Sequence, residues 1–159
     1  MSSKSLCQIV RTAVIAVTIC GLITCGYILP AIGADIIQSN PEFTHWYLPW
    51  LIFLLITSMP CFVILALVWK VSSAIKQERV FTFQTARLVK IAAMIMFCDV
   101  IFFFAGNFVL FLLNMNHPGI FFLSFFVDVF GIALALSAAI LSRYLTKAAV
   151  LQEEADGTI

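Results

Sequence analysis

LVKIAAMIMFCDVIFFFAGNFVLFLL, residues 88–113, decides the fold. As a helix this stretch would be ~39 Å long at about 1.5 Å per residue, more than the ~30 Å of a bilayer's hydrocarbon core. It contains 16 Leu, Ile, Phe or Val residues and one acid, Asp99. A central aspartate costs about 2.5–3.5 kcal/mol on insertion, and each large apolar residue returns about 0.3–0.6 kcal/mol. The segment therefore inserts despite its acid.

Three further runs have the same character: Thr12–Ala34, Leu48–Trp69 and Gly119–Leu145. Each exceeds or approaches the ~20 apolar residues that a spanning helix needs. The composition leaves no other outlet for so much apolar surface. Of 159 residues, 63% are hydrophobic and 11% charged, with a mean hydropathy of +1.10, whereas soluble chains are about a quarter charged. The connectors at 35–47, 70–87 and 114–118 are too short for a soluble domain. We therefore expect one all-α transmembrane domain over residues 1–159, an integral membrane four-helix bundle with a cytoplasmic tail at 146–159. The first run starts after Lys4 and Arg11, as a signal peptide would. This apolar run is 23 residues long, beyond the ~7–15 of a secretory core, so it reads as a retained span.

Charge placement predicts the orientation. All nine Lys and Arg residues fall in the N-terminal arm (Lys4, Arg11), around the second connector (Lys70, Lys76, Arg79, Arg87, Lys90) or in the tail (Arg143, Lys147). Basic connectors stay cytoplasmic, so the chain is expected N-in and C-in, multi-pass in an inner or plasma membrane. Trp46, Tyr47 and Trp50 would mark the outer interface, and Trp69 and Tyr144 the inner one.

Local signals refine the spans. Pro60 lies mid-way along the second run and is expected to bend it, with Thr57 and Ser58 available to satisfy the freed backbone groups. Thr82 is suited to cap the third helix, which would start early, ahead of the apolar run.

Chemistry is sparse. Asp99 and Asp128 lie inside spans, and an intramembrane acid is a candidate functional site by default. Helical spacing places Ala92, Asp99 and Gly106 on one stripe, with Asn107 on its flank. It places Ser124, Asp128, Gly131, Ala135, Ala139 and Ser142 on another. Small residues let membrane helices approach closely, so both acids are expected to face other helices. Depth arithmetic at about 1.5 Å per residue favours an Asp128–Asn107 hydrogen bond and leaves Asp99 to find another partner. Either the acids are neutral, or water or a cation reaches them.

Cys7, Cys20, Cys25, Cys61 and Cys98 form no Cys-x-x-Cys pair and read as small apolar packing residues. His45 and His117, in the outer connectors beside Asp35 and Glu42, lack metal-ligand spacing. No phosphate loop, nucleophile elbow or zinc-protease motif occurs, so neither an enzyme, a cofactor, a metal nor direct nucleic-acid binding is expected.

The tail A149-V-L-Q-E-E-A-D-G-T-I159 resembles the ending of a bacterial four-span family, domain-of-unknown-function family 2975. The stretch V80-F-T-F-Q-T-A-R-L88 is similar to the start of that family's third span. Gly157 stands where Leu is usual in the family, and Thr85 where Asn is common. The resemblance implies a membrane partner for a small helix-turn-helix transcription regulator. Lys76, Arg79, Arg87, Glu153, Glu154 and Asp156 then become candidate partner-binding residues on the cytoplasmic face. The expectation from residues and resemblance together is a membrane sensor or anchor. The alternative is a small transporter or channel, a homo-oligomer using Asp99 and Asp128.

Overall fold

The computed structural model of the chain describes residues 3–76 and 81–157. Among these residues the chain is helical almost throughout, with no strand. The first span comprises α1 (Ser3–Ile23), one π-helical turn (Thr24–Ile28) and α2 (Leu29–Ser39). A short 3-10 turn at Pro41–Phe43 leads into α3 (Thr44–Lys76), followed by α4 (Phe83–Leu112) and α5 (Pro118–Asp156). The four resulting helical segments are each long and apolar enough to cross a membrane. Helices are the natural solution here, because lipid offers no partner for a free backbone N–H or C=O.

The π turn has a local cause. Pro30 has no N–H and cannot close the normal bond to Gly26. The helix widens just before it, and the Leu29 N–H reaches back to the Thr24 carbonyl. α3 continues unbroken through Pro49 and Pro60. Thr57 Oγ1 donates to the carbonyls of Leu54 (2.9 Å) and Phe53 (3.2 Å), and Ser58 Oγ to that of Leu55 (2.7 Å). These are not the carbonyl that Pro60 releases, which belongs to Ile56, four residues earlier. A helical Ser or Thr reaches back three or four residues, so neither hydroxyl can bond the carbonyl immediately ahead of it.

α4 begins where its cap dictates. The Thr85 N–H donates to Thr82 Oγ1 at 3.3 Å, and the two hydroxyls lie 3.0 Å apart. Its other end closes in a Schellman turn. The Met115 N–H bonds the Leu110 carbonyl (2.8 Å) and the Asn114 N–H that of Phe111 (3.0 Å), with Asn114 left-handed at φ 55°. Asparagine tolerates that conformation better than most residues.

Each span packs chiefly on its neighbour in the chain: α1 on α3, α3 on α4, and most extensively α4 on α5. Among the described residues the first and last spans share no extensive contact, so the helices form an open row. Large apolar side chains such as Phe126, Phe130 and Leu134 are exposed on the outer faces, the surface that a lipid environment solvates. Small and polar residues fill the contacts between helices instead.

Candidate functional site

α4 carries two adjoining seams, each repeating every seven residues. Ala86, Ala93 and Asn107 are buried, and Val100, on the same seam, meets α5 at Gly131. The neighbouring stripe of Ala92, Asp99 and Gly106 is half-buried and turns toward α3. A Cβ at Gly106 would collide with the ring of Phe53, on α3, so glycine is what lets that ring lie on α4. The stripe expected to carry both Asp99 and Asn107 therefore divides. Asp99 serves the α3 side and Asn107 the α5 side.

The α5 stripe is the buried face of that helix. Ser124, Asp128, Ala135 and Ser142 are buried, with Leu145 and Ala149 extending the line. Gly131 sits where an added Cβ would come within 2.5 Å of Val100 Cγ2. At the end nearest the turn between α4 and α5 this contact is aromatic. Phe121 lies against the rings of Phe104, Phe108 and Phe111, at centroid distances of 6.5, 6.3 and 4.8 Å. At the opposite end Ser142 Oγ donates to the Ala86 carbonyl at 2.9 Å, which levels the two helices.

Asp128 sits within this contact at 4% exposure, and neither of its carboxylate oxygens has a hydrogen-bond partner. The expected bond to Asn107 is not formed. Asn107 Nδ2 donates to the Phe103 carbonyl (2.9 Å), and its Oδ1 accepts from Asn116 Nδ2 (3.1 Å). The Schellman turn folds Asn116 back into the helix end, a competitor that depth arithmetic on two straight helices does not contain. Ser124 Oγ donates to the Phe121 carbonyl of its own helix (2.8 Å), so it does not serve Asp128 either. Asp99 Oδ1 is likewise buried and unpartnered.

Asp99 lines a cavity of about 550 Å³ between α3 and α4, together with Ile56, Pro60, Cys98 and Phe102. The two acids stand on neighbouring helices, Asp99 on α4 and Asp128 on α5, each with a buried carboxylate oxygen that has no hydrogen-bond partner. An unpaired polar group buried this way costs roughly 1–3 kcal/mol by protein mutational measures. An ionisable group buried inside a span at such a cost is a candidate functional site.

The matching family model, described as a protein of unknown function (DUF2975), covers residues 31–159. The chain belongs to the DUF2975 family. No curated protein and no solved structure matches it. The DUF2975 segment contains Asp99, Asn107, Ser124, Asp128 and the tail, whereas α1 lies outside it.

The partner-binding candidates of this DUF2975 chain lie apart from the acids. Lys76 ends α3 and Arg87 lies near the start of α4; both are exposed, with no ion pair among the described residues. Glu153 and Glu154 are exposed near the end of α5, which stays helical to Asp156. Arg79 and the side chain of Asp156 lie outside the described residues.

Other residues turn out differently from their sequence reading. His45 stands on the first turn of α3, not in a connector. His117 caps α5, its Nδ1 accepting the Gly119 N–H at 3.1 Å. Among the described residues no group of His, Cys, Asp and Glu could hold a metal. Cys7 is buried and Cys25 half-buried, while Cys20, Cys61 and Cys98 face outward. Two features escaped the sequence reading. One is Asn116, whose role depends on the turn before it. The other is Arg11, which donates to Ser72 (3.2 Å) and Ser73 (3.0 Å) and stacks 4.8 Å from the Trp69 ring. A spacing of about 60 residues gives no local signal for that cluster.

Proposed function

We propose that this four-span protein is a membrane anchor and sensor of an inner or plasma membrane, and that its cytoplasmic end holds a small helix-turn-helix regulator. The observation that carries this reading is the length of α5. Its 39 residues make ~58 Å of helix, almost twice the ~30 Å hydrocarbon core. The helix continues well past Lys147 and presents Glu153 and Glu154 to solvent at its end. The acidic end of α5 and the exposed basic side chains of Lys76 and Arg87 together offer a partner both signs of charge. Such complementarity sets orientation and partner choice more than raw affinity. The family resemblance supplies the class of partner.

Deleting residues 152–159 tests the reading. The truncated protein should insert and melt as the full chain does, yet lose capture of a small helix-turn-helix regulator. Undiminished capture at low salt would refute the docking arm.

A second reading rests on the unpartnered oxygens of Asp99 and Asp128: the pair takes up a proton or cation. An open row of helices encloses no pathway, so transport through these acids would require a second copy of the chain. A pH-dependent flux in proteoliposomes, abolished by Asp128→Asn, is its signature. A flux that is flat with pH, or unchanged in the variant, excludes it.

A further inference from the structure

A second groove, of about 660 Å³, runs along the α4–α5 contact toward the end where the basic residues gather. Its wall carries Lys90 from α4 and Arg143 and Lys147 from α5, and beyond them it continues between Met94, Phe97 and Leu136. The groove follows from the packing just described. Ala93 and Ala135 are buried where the helices touch, and small residues at a close crossing leave a cleft beside it.

We propose that this groove binds one anionic phospholipid of the surrounding leaflet, its phosphate among Lys90, Arg143 and Lys147 and an acyl chain along Met94, Phe97 and Leu136. Charge carries the argument. The groove's lining contains three cations and no acid, and among the described residues none of the three is ion-paired. Lys147 Nζ lies 6.0 Å from the Tyr144 ring, which leaves its charge available to an anion. The hydroxyls nearby are already committed, Ser142 to the Ala86 carbonyl and Thr146 to that of Ser142.

Depth fits the shape of a lipid. Ser142 is level with Ala86, so Lys90 lies ~7.5 Å further into the span than Arg143 at about 1.5 Å per residue. Lys147 lies a similar distance the other way along α5. The cations therefore form a ladder across the edge of the hydrocarbon, where a headgroup phosphate resides. A lysine that deep is costly unless it snorkels or meets an anion. The apolar part opens sideways: Met94, Phe97 and Leu136 are all exposed, and in a spanning protein that opening meets lipid tails. A soluble anion would match the cations but leave the apolar half empty. Basic pockets between spanning helices are a known mode of anionic headgroup recognition. The proposal is independent of any regulator and of the acid pair.

Native mass spectrometry of the full chain tests it, with phosphatidylglycerol and phosphatidylcholine of identical acyl chains offered in equal amounts. The protein should retain phosphatidylglycerol preferentially. The triple variant Lys90→Gln, Arg143→Gln, Lys147→Gln should lose that preference by about tenfold. A control with the same charge change away from the groove, Lys4→Gln, Lys70→Gln, Lys76→Gln, should keep it. Arg143→Gln alone, checked for an unchanged melting temperature, guards against misfolding and should weaken the preference part-way. Met94→Trp, which fills the apolar half without altering charge, should lower retention as well. Equal loss in the groove variant and the control would reduce the effect to general surface charge and overturn the site. Equal retention of both lipids, or displacement by glycerol phosphate at millimolar concentration, would overturn it too.

Discussion

The α4–α5 pair and the α1–α3 pair are both antiparallel helix contacts, yet they are built by opposite means. α4 and α5 meet along their length through small residues, with Gly131 against Val100 and Ser142 tied to the Ala86 carbonyl. α1 meets α3 with few buried side chains, Cys7 and Val14 among them, and its polar fastening is concentrated at Arg11. A π turn then interrupts the span before α2. In lipid no hydrophobic force drives helices together, so association depends on close van der Waals fit and on bonds between helices. By that measure α4–α5 is the rigid unit and α1 the adjustable one. The rigid unit also holds Asp128, the basic groove and the acidic arm, and it lies within the family-matched segment, whereas α1 does not.

The comparison breaks most readily at Gly131. Gly131→Leu forces a side chain into Val100, and overpacking of this kind costs up to about 3 kcal/mol. A large fall in melting temperature in detergent is expected, and an unchanged one would mean that α4 and α5 do not rely on close approach.

Asp128 sharpens it in the other direction. Asp128→Ala suits the small-residue stripe and removes a buried carboxylate that has no partner, so stability should rise by about 1–2 kcal/mol. A loss of stability would show that the acid holds the helices together, and its functional reading would fall.

The smallest effect belongs to α1. Arg11→Ala removes two hydrogen bonds and the Trp69 stacking, a half-exposed set worth about 1 kcal/mol. Faster amide exchange should be confined to α1 and the end of α3. Spread of that exchange into α5 would contradict the division into rigid and adjustable halves.

Much of this architecture was legible in the residues. The four spans follow from apolar length alone, and the buried face of α5 from the spacing of Ser124, Asp128, Gly131, Ala135 and Ser142. Thr82 announces the start of α4. What could not be read depends on turns and on neighbours far along the chain. The Asn114 turn gives Asn107 to Asn116 and leaves Asp128 without its expected partner. The seven-residue repeat of α4 supports two adjacent seams, and only packing decides that Asp99 takes the α3 side. Lys90, Arg143 and Lys147 registered in the sequence as orientation signals, because their common groove exists only once α4 and α5 are set side by side.

The docking arm proposed for the basic end requires that it face the cytoplasm. A reporter active only outside the cytoplasm, fused in one version after Asn116 and in another after Ile159, tests this most directly. Strong activity after Asn116 and none after Ile159 is the predicted result. Equal activity at the two positions, or the reverse pattern, would contradict the orientation and with it the cytoplasmic docking arm.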